Sequence, residues 1–283
     1  MPSIVQGSLI SKVFVFLALL VALAAVLVAL AWIFQERIAF QPPRAPWPSP
    51  AGGTRVEYTA SDGQKLFAYV VGDPSAPRGL LLSFHGNADL AVWQIDWAEE
   101  LSRRTGVTVM LAEYRGYMGL EGRPSYAGSQ RDAEAAYLFA RNVLKVPEDR
   151  IAMFGHSLGS AIATELANKH QPAALILQSP FTSAKDMAGR MTGYRPSGLL
   201  WRLVSRLHFD TGVTVASVLA PVSVSHGGRD RLIPAEMGQS VYGAARRKGE
   251  LLLVPDAAHN DVGSRGGDAY WSWMKTALLP VTE

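Results

Sequence analysis

The sequence predicts an α/β protein in which helices cover both faces of a mostly parallel, twisted sheet. Short apolar runs recur along the chain and alternate with longer stretches whose apolar residues follow a helical period. Strands of a covered parallel sheet are apolar on both faces, so such runs are typical of them. The chain has 283 residues, of which 48% are hydrophobic, and this suffices for a large core.

The elements follow one another regularly after residue 53. The first two strands, 54–59 and 64–71, join through Asp62-Gly63 as an antiparallel hairpin. The sequence predicts further strands at 79–84, 107–112, 150–154, 173–178, 222–225 and 250–254. It predicts helices at 92–104, 125–144, 158–170, 235–247 and 266–278, the second of them with Ser125 as its N-cap.

Residues 1–40 are predicted to form an N-terminal membrane anchor, with the span at about 13–34. This uncharged apolar stretch would form a helix about 33 Å long, against a hydrocarbon core of about 30 Å. A cleaved signal peptide is the competing interpretation, but its apolar region is usually about 7–15 residues long. Charges on the two sides are nearly balanced, with Lys12 and the α-amino group before the span and Glu36, Arg37 and Arg44 after it. We expect a single-pass protein whose folded domain lies on the non-cytoplasmic side.

Two segments are predicted to lie outside the sheet and its helices. Residues 41–53 are rich in proline and are interpreted as an extended linker without a packed core. Residues 54–283 form the main domain, in which about 180–220 is interpreted as a cap over the carboxyl ends of the strands. The cap has an apolar helical face and basic residues, which suit either anionic lipid headgroups or a packed helix with solvated arginines. The face comprises Leu199, Leu200, Leu203, Val204 and Leu207; the basic residues are Lys185, Arg190, Arg195, Arg202 and Arg206, against Asp186 and Asp210.

Gly155-His156-Ser157-Leu158-Gly159 stands between the strand 150–154 and the helix 158–170. A G-x-S-x-G in this context is typical of a sharp strand-to-helix turn that exposes a nucleophilic serine. The glycines let backbone pass where a Cβ would clash. The helix N-terminus places free N–H groups beneath a developing oxyanion. Ser157 is therefore the predicted nucleophile.

Such a serine needs a base to accept its proton and an acid to orient that base. His259 follows the last strand, at the edge of the sheet expected to hold Ser157, and is the predicted base. His226, at the end of an earlier strand, is interpreted as shaping its own loop.

The acid is expected after the strand that precedes the last one. Asp230 stands there, behind two glycines that allow the loop to fold back towards the serine. Asp256 and Asp261 are the rival acids, but they lie too close to His259 in sequence to approach its far nitrogen easily. Asp230 is the predicted acid.

His85-Gly86-Asn87 follows the strand 79–84 and is expected to complete an oxyanion-binding site. Gly86 allows a tight turn, so that the backbone N–H of Asn87 faces the serine with the N–H of Leu158 as its partner. The backbone position matters here and the Asn87 side chain does not. His85 is interpreted as a structural histidine hydrogen-bonded to neighbouring backbone, and His156 as a packing residue inside the serine turn.

Together with Tyr114-Arg115-Gly116-Tyr117 and Ala258-His259-Asn260-Asp261, these motifs resemble those of α/β-hydrolase-domain proteins, which include membrane-bound lipid hydrolases and protein depalmitoylases. The resemblance covers about residues 54–275 and implies an α/β-hydrolase fold. It also implies the site already inferred from the motifs. The chain departs from the family at Tyr117-Met118-Gly119-Leu120, where relatives often have Tyr-Gly-x-Ser. It also lacks the N-terminal cysteine cluster of the mammalian depalmitoylases.

The motifs and the resemblance predict a membrane-anchored serine hydrolase that cleaves carboxylic esters or thioesters, with lipid-like acyl substrates, through an acyl-enzyme. Peptide or amide hydrolysis and an inactive membrane-tethered scaffold are the alternatives. A net charge of +3 implies no attraction to nucleic acid, and the absence of cysteine excludes disulfides and a cysteine nucleophile. No cofactor or metal is expected, because no histidine–carboxylate cluster has ligand spacing. The expected partners are a small acyl ester and the membrane, with a monomer as the default.

Overall fold

An eight-stranded sheet forms the centre of the protein. The computed structural model describes residues 4–73, 78–193, 201 and 203–283. Its strands lie in the order β1-β2-β4-β3-β5-β6-β7-β8. β1 pairs antiparallel with β2 and β2 with β4, and all other neighbours are parallel. The strands are β1 (Thr54–Thr59), β2 (Lys65–Val71), β3 (Leu80–Phe84), β4 (Thr108–Ala112), β5 (Ile151–His156), β6 (Ala174–Gln178), β7 (Pro221–Gly227) and β8 (Arg247–Val254).

Helices surround this sheet, and the predicted α/β architecture is confirmed. Every residue of β3, β4 and β5 is buried, as their continuous apolar runs predict. Ser125 caps its helix by accepting a hydrogen bond from the N–H of Gly128 over 3.0 Å. The helices are α1 (Ile4–Ala39), α2 (Ile95–Thr105), α3 (Tyr126–Asn142), α4 (Leu158–His170), α5 (Ala184–Thr192), α6 (Thr211–Thr214), α7 (Ala235–Ala244), α8 (Val262–Ala277) and α9 (Leu279–Thr282).

Two predicted helix boundaries are wrong. The helix predicted to reach residue 247 ends at Ala244, because Arg247 already pairs with Pro221 as the first residue of β8. Pairing with β7 therefore outweighs the helical pattern of this stretch. The helix predicted from residue 266 begins at Val262 instead, and Gly267 interrupts it with a φ of +49°.

α1 contains Leu9–Ala39, a stretch that is long and apolar enough to cross a membrane and whose most apolar 18-residue window has a mean hydropathy of 3.2. The predicted span at 13–34 lies inside it. None of its most apolar window is buried in the protein, which separates it from the core helix of a soluble domain. A signal sequence near the N-terminus can satisfy the same criteria of length and composition.

Residues 41–53 contain no helix or strand, but they contact the folded domain. The Trp47 ring packs against the core and donates from Nε1 to the carbonyl of Pro43 over 3.0 Å. Immediately before this segment, Phe40 is buried with 3% of its surface exposed. The linker therefore has no core of its own, yet lies against that of the main domain.

The region predicted as a cap contains α5 and α6 in its described part. On its predicted apolar face, Leu207 is buried whereas Leu203 is 72% exposed. The chain is helical at residues 201, 203 and 204 and leaves the helix at Ser205, so Leu207 does not continue the helical face of Leu203 and Val204. Four of the predicted cap residues lie outside the described part of the chain: Arg195, Leu199, Leu200 and Arg202.

Candidate active site

Ser157 lies on the sharp turn between β5 and α4. Its backbone has φ +53° and ψ −116°, a strained conformation for a residue other than glycine. Its N–H donates to the carbonyl of Gln178 over 2.9 Å, which holds the turn against β6. A Cβ at Gly155 would clash with the backbone of Gly159, and one at Gly159 would clash with that of Phe84. The two glycines are therefore required by close backbone approach.

The structure brings Ser157, His259 and Asp230 together in a line. His259 Nε2 lies 2.9 Å from Ser157 Oγ, and His259 Nδ1 lies 2.6 Å from Asp230 Oδ2. The ring is only 13% exposed and the Asp230 side chain is fully buried. A carboxylate on Nδ1 holds the proton there, which leaves Nε2 free to accept the proton of the serine hydroxyl.

Asp230 is held as a carboxylate by the loop around it. Its Oδ1 accepts from the N–H groups of Leu232 and Ile233 over 2.9 and 2.8 Å. Burial raises the pKa of Asp230, but hydrogen bonds from His226, His259 and the Ile233 N–H outweigh it and hold the pKa well below its ordinary value. The acid therefore stays ionised throughout the neutral pH range.

The rival acids do not reach the base. Asp256 is 67% exposed and pairs with Arg229, and Asp261 accepts from the N–H of Ala258.

His156 contacts the carbonyl oxygen of His259 over 3.3 Å. Burial and the neighbouring His259 lower the pKa of His156 to about 4, so it is a neutral packing residue at physiological pH.

The turn after β3 lies beside Ser157. A Cβ at Gly86 would meet the ring of His156 at 3.0 Å and Cβ of Ser157 at 3.4 Å, so a glycine lets the two turns approach. Leu158, the first residue of α4, has one of the N–H groups that no helical carbonyl satisfies. The backbone of Asn87 and that of Leu158 are thus both close to the serine turn.

Hydrogen bonds of the buried His85 side chain hold this turn in place. The two ring nitrogens of His85 face acceptors, with Nδ1 2.8 Å from the Gly86 carbonyl and Nε2 2.7 Å from Glu113 Oε1. Burial lowers the pKa of His85, but the Glu113 carboxylate outweighs it and the net shift is upward. The hydroxyl of Tyr114 donates to the His85 carbonyl over 2.9 Å. His85 is therefore hydrogen-bonded both to its own turn and to Glu113.

No group of three or more His, Cys, Asp or Glu side chains capable of holding a metal ion occurs within residues 4–73, 78–193, 201 and 203–283.

Comparison with known proteins adds the family. The family model described as serine aminopeptidase, S33, matches residues 75–217. An uncharacterised protein of Mycobacterium tuberculosis (strain ATCC 25618 / H37Rv) is 36% identical over 250 residues, which cover 86% of this chain and 87% of that protein. The chain belongs to this family of α/β hydrolases.

Two further similarities agree with this. The alpha/beta hydrolase domain-containing protein WAV2 of Arabidopsis thaliana is 30% identical to this α/β hydrolase over 227 residues, or 75% of this chain and 74% of WAV2. Among solved structures, an esterase of Pyrococcus furiosus has a TM-score of 0.63 at 20% identity. That match covers 84% of this chain and 97% of the esterase, and it shows a shared fold.

Two features of the α/β hydrolase were missed by sequence reasoning. His226 Nε2 lies 2.8 Å from the Ile233 carbonyl and 3.3 Å from Asp230 Oδ2, so its N–H supports the acid as well as the loop. The side chain of Asn87 is also engaged, since its Oδ1 accepts from Tyr117, Gln41 and Ala88. The Asn87 contacts have no local motif, because Gln41 and Tyr117 lie far from it in sequence. The partners of His226 lie within seven residues of it, but its contact with the acid has no recognisable pattern.

Proposed function

We propose that this α/β hydrolase is a serine esterase that cleaves carboxylic esters through a covalent acyl-enzyme. The observation that carries the proposal is the continuous hydrogen-bonded line from Ser157 Oγ through His259 to Asp230, with separations of 2.9 and 2.6 Å. This arrangement supports a catalytic triad on the strained turn that presents a nucleophile.

In the proposed acylation step, Ser157 Oγ attacks the ester carbonyl while its proton passes to His259 Nε2. The carbonyl oxygen becomes an oxyanion, which the N–H groups of Asn87 and Leu158 stabilise. The C–O bond to the alcohol then breaks, and the alcohol leaves with the proton from His259. Asp230 balances the positive charge on the ring during this step.

Water completes the cycle in the second step. His259 removes a proton from water as the oxygen attacks the acyl-enzyme carbonyl, and the same two N–H groups bind the new oxyanion. The bond to Ser157 Oγ breaks, and the serine recovers its proton from His259. The products are a carboxylic acid and an alcohol.

We infer membrane attachment and lipid-like substrates from α1. Its apolar stretch suits a retained single-pass anchor, with Trp32 near its carboxyl end as an interfacial side chain. An anchored enzyme next to a bilayer would meet acyl esters of lipids at high local concentration. We place the catalytic domain on the non-cytoplasmic side of the membrane.

Hydrolysis of peptide or amide bonds is the second candidate, because the matching family is described as serine aminopeptidase. The same triad and oxyanion donors serve both reactions. The two candidates differ in the leaving group that the cap region admits, so their substrates distinguish them directly.

The test is hydrolysis of p-nitrophenyl esters from acetyl to palmitoyl, beside aminoacyl p-nitroanilides, by the detergent-solubilised full-length protein. Ser157→Ala is expected to lower kcat by a factor of about 10⁴ or more, because the nucleophile is removed. Ser240→Ala is the matched control, since Ser240 lies exposed on α7. Hydrolysis that survives in Ser157→Ala would contradict the proposal, and turnover of the anilides alone would select the amidase.

A further inference from the structure

The carboxyl-terminal end of α1 contacts the cap region of the catalytic domain. Gln35 donates from Nε2 to the carbonyl of Val204 over 3.1 Å and accepts at Oε1 from the N–H of Arg206 over 2.6 Å. The guanidinium of Arg206 lies 2.9 Å from the carboxylate of Glu36 and 5.2 Å from the ring centre of Trp32. Backbone, side-chain and cation–π contacts thus join the same two segments.

The same end of α1 also contacts α3. Glu36 is mostly buried, with 15% of its side chain exposed, and its Oε1 accepts from the N–H of Tyr126 over 3.2 Å. This N–H is at the first residue of α3, where no helical carbonyl is available to it, and a carboxylate is favourable at a helix N-terminus. Glu36 therefore connects the anchor helix, the cap and α3 at one point.

One helical turn further on, the chain contacts the turn after β3 at His85-Gly86-Asn87, here named the oxyanion turn. Phe40 is buried near the ring of Phe209, with 6.5 Å between ring centres. The N–H of Gln41 then donates to Oδ1 of Asn87 over 2.7 Å. The hydroxyl of Tyr117 donates to the same oxygen over 3.0 Å. The Asn87 side chain is therefore held from outside by two segments distant in sequence.

This contact bears on the direction of the Asn87 backbone. The next residue, Ala88, has a φ of +53°, so the turn has an unfavourable conformation that surrounding contacts must maintain. An oxyanion donor acts only if its N–H points to the position of the developing charge. A displacement of about 1 Å in such a group can cost a factor of about 10² in rate.

We propose that residues 35–41, here named the docking segment, help to maintain the geometry of the active site and that Gln41 is a positioning residue. Its N–H fixes the Asn87 side chain and thereby the direction of the Asn87 N–H. The inference rests on the proposed function, since it assigns a role to the oxyanion turn. It implies that the anchor affects the rate of hydrolysis even for a soluble substrate, independently of bringing the enzyme to a membrane.

The test compares Gln41→Pro with Gln41→Ala in the full-length, detergent-solubilised protein. Proline removes the N–H and suits a residue that already precedes Pro42 and is therefore biased to extended backbone. Alanine keeps the N–H and loses only the side chain, whose Nε2 donates to the carbonyl of Ile38. We expect Gln41→Pro to lower kcat for a short soluble ester about tenfold with little change in KM, as for an interaction made in the transition state. Gln41→Ala is expected to keep kcat at least about fivefold above that of Gln41→Pro.

A second pair of variants tests the route of the effect. In an Asn87→Ala background the acceptor is gone, so adding Gln41→Pro should lower kcat no further. An equal loss in both backgrounds would overturn the proposal, because the effect would not pass through this hydrogen bond. Arg44→Ala is the matched control, since Arg44 is exposed in the linker just outside the docking segment.

Failure of this inference and failure of the proposed function give different results. Equal kcat values for Gln41→Pro and Gln41→Ala, beside an inactive Ser157→Ala, would overturn the positioning role and leave the esterase intact. If the wild type hydrolyses no ester, the esterase proposal fails, and amide hydrogen exchange of residues 85–90 decides the inference. Faster exchange of these amides in Gln41→Pro but not in Gln41→Ala would support the positioning role of Gln41. Unchanged exchange would overturn that role.

Discussion

At the scale of single residues, Asp230 combines full burial with an unusually complete set of hydrogen bonds. It accepts from His259 and from the N–H groups of Leu232 and Ile233, and His226 lies against the same carboxylate. These contacts favour the charged form and lower its pKa in the folded protein. Because the folded pKa is below the unfolded one, this carboxylate stabilises the fold above its ordinary pKa of 3.8, and the contribution is lost as the pH falls.

Asp230→Asn separates the charge of this residue from its shape. The amide can keep one oxygen for the Leu232 and Ile233 N–H groups, but its NH₂ would face Nδ1 of His259. That favours the tautomer with the proton on Nε2, which cannot accept the serine proton. We expect kcat to fall by a factor of about 10²–10⁴. Asp256→Asn, at the exposed rival acid, is the matched control, and a kcat for Asp230→Asn close to that of the control would contradict the assignment.

The residues of the proposed triad could be predicted because each follows a strand in the expected chain order. Ser157 has the G-x-S-x-G pattern of a sharp strand-to-helix turn, and His259 and Asp230 lie in loops at the same edge of the sheet. The role of the Asn87 side chain could not be predicted in this way. Its donors, Gln41 and Tyr117, come from a segment before the first strand and from a loop after β4, and only the folded chain brings them together.

At the scale of elements, α4 meets α3 and the cap region at the partly buried side chain of Glu165. The carboxylate of Glu165 on α4 accepts from the hydroxyl of Tyr126 on α3 over 3.0 Å. Burial raises the pKa of Glu165 to about 7, with the charge of Asp210 adding to the effect and the Tyr126 hydrogen bond opposing it. The folded protein therefore holds a proton on Glu165 that the unfolded chain releases near pH 4.5.

The sign of the pH dependence follows from this difference. Between about pH 4.5 and pH 7 the folded state binds more protons at Glu165 than the unfolded state, so this residue lowers the stability as the pH rises. Glu165→Gln removes the charge and keeps an acceptor for Tyr126. We expect its Tm to exceed that of the wild type by about 2–5 °C at pH 8, and to match it within about 1 °C at pH 4.5. A difference in Tm that is the same at both pH values would contradict the interpretation.

The predicted element boundaries are accurate where one local sequence pattern determines them. They are inaccurate where a helix and a strand compete for the same residues. Helix α4 has its predicted bounds because the G-x-S-x-G turn determines its start at Leu158 and its last residues are not paired in a strand. At 245–247 the helical pattern continues, yet the backbone turns extended at Ala245 so that β8 can pair with β7. The proline-rich linker has no internal pattern, so the contact of Trp47 with the core could not be inferred from it.

At the scale of the whole molecule, α1 and the main domain are joined by specific contacts as well as by the chain. Gln35 and Glu36 contact the cap and α3, and Gln41 contacts the oxyanion turn. A flexible tether would leave the orientation of the domain on the bilayer undetermined. In the proposed single-pass arrangement, these contacts would instead fix the candidate active site relative to the direction of α1.

The proposed orientation can be measured by labelling single cysteines, because the chain has no cysteine of its own. Lys275→Cys places a thiol on an exposed position of α8, and Ser3→Cys places one before the span. In spheroplasts of a bacterial host, a membrane-impermeant maleimide should label Lys275→Cys without lysis and Ser3→Cys only after lysis. The reverse pattern would place the catalytic domain in the cytoplasm. A mature chain that lacks the apolar stretch would identify a cleaved signal peptide and contradict the anchor. Residues 35–41 would then also lose the helix that precedes them.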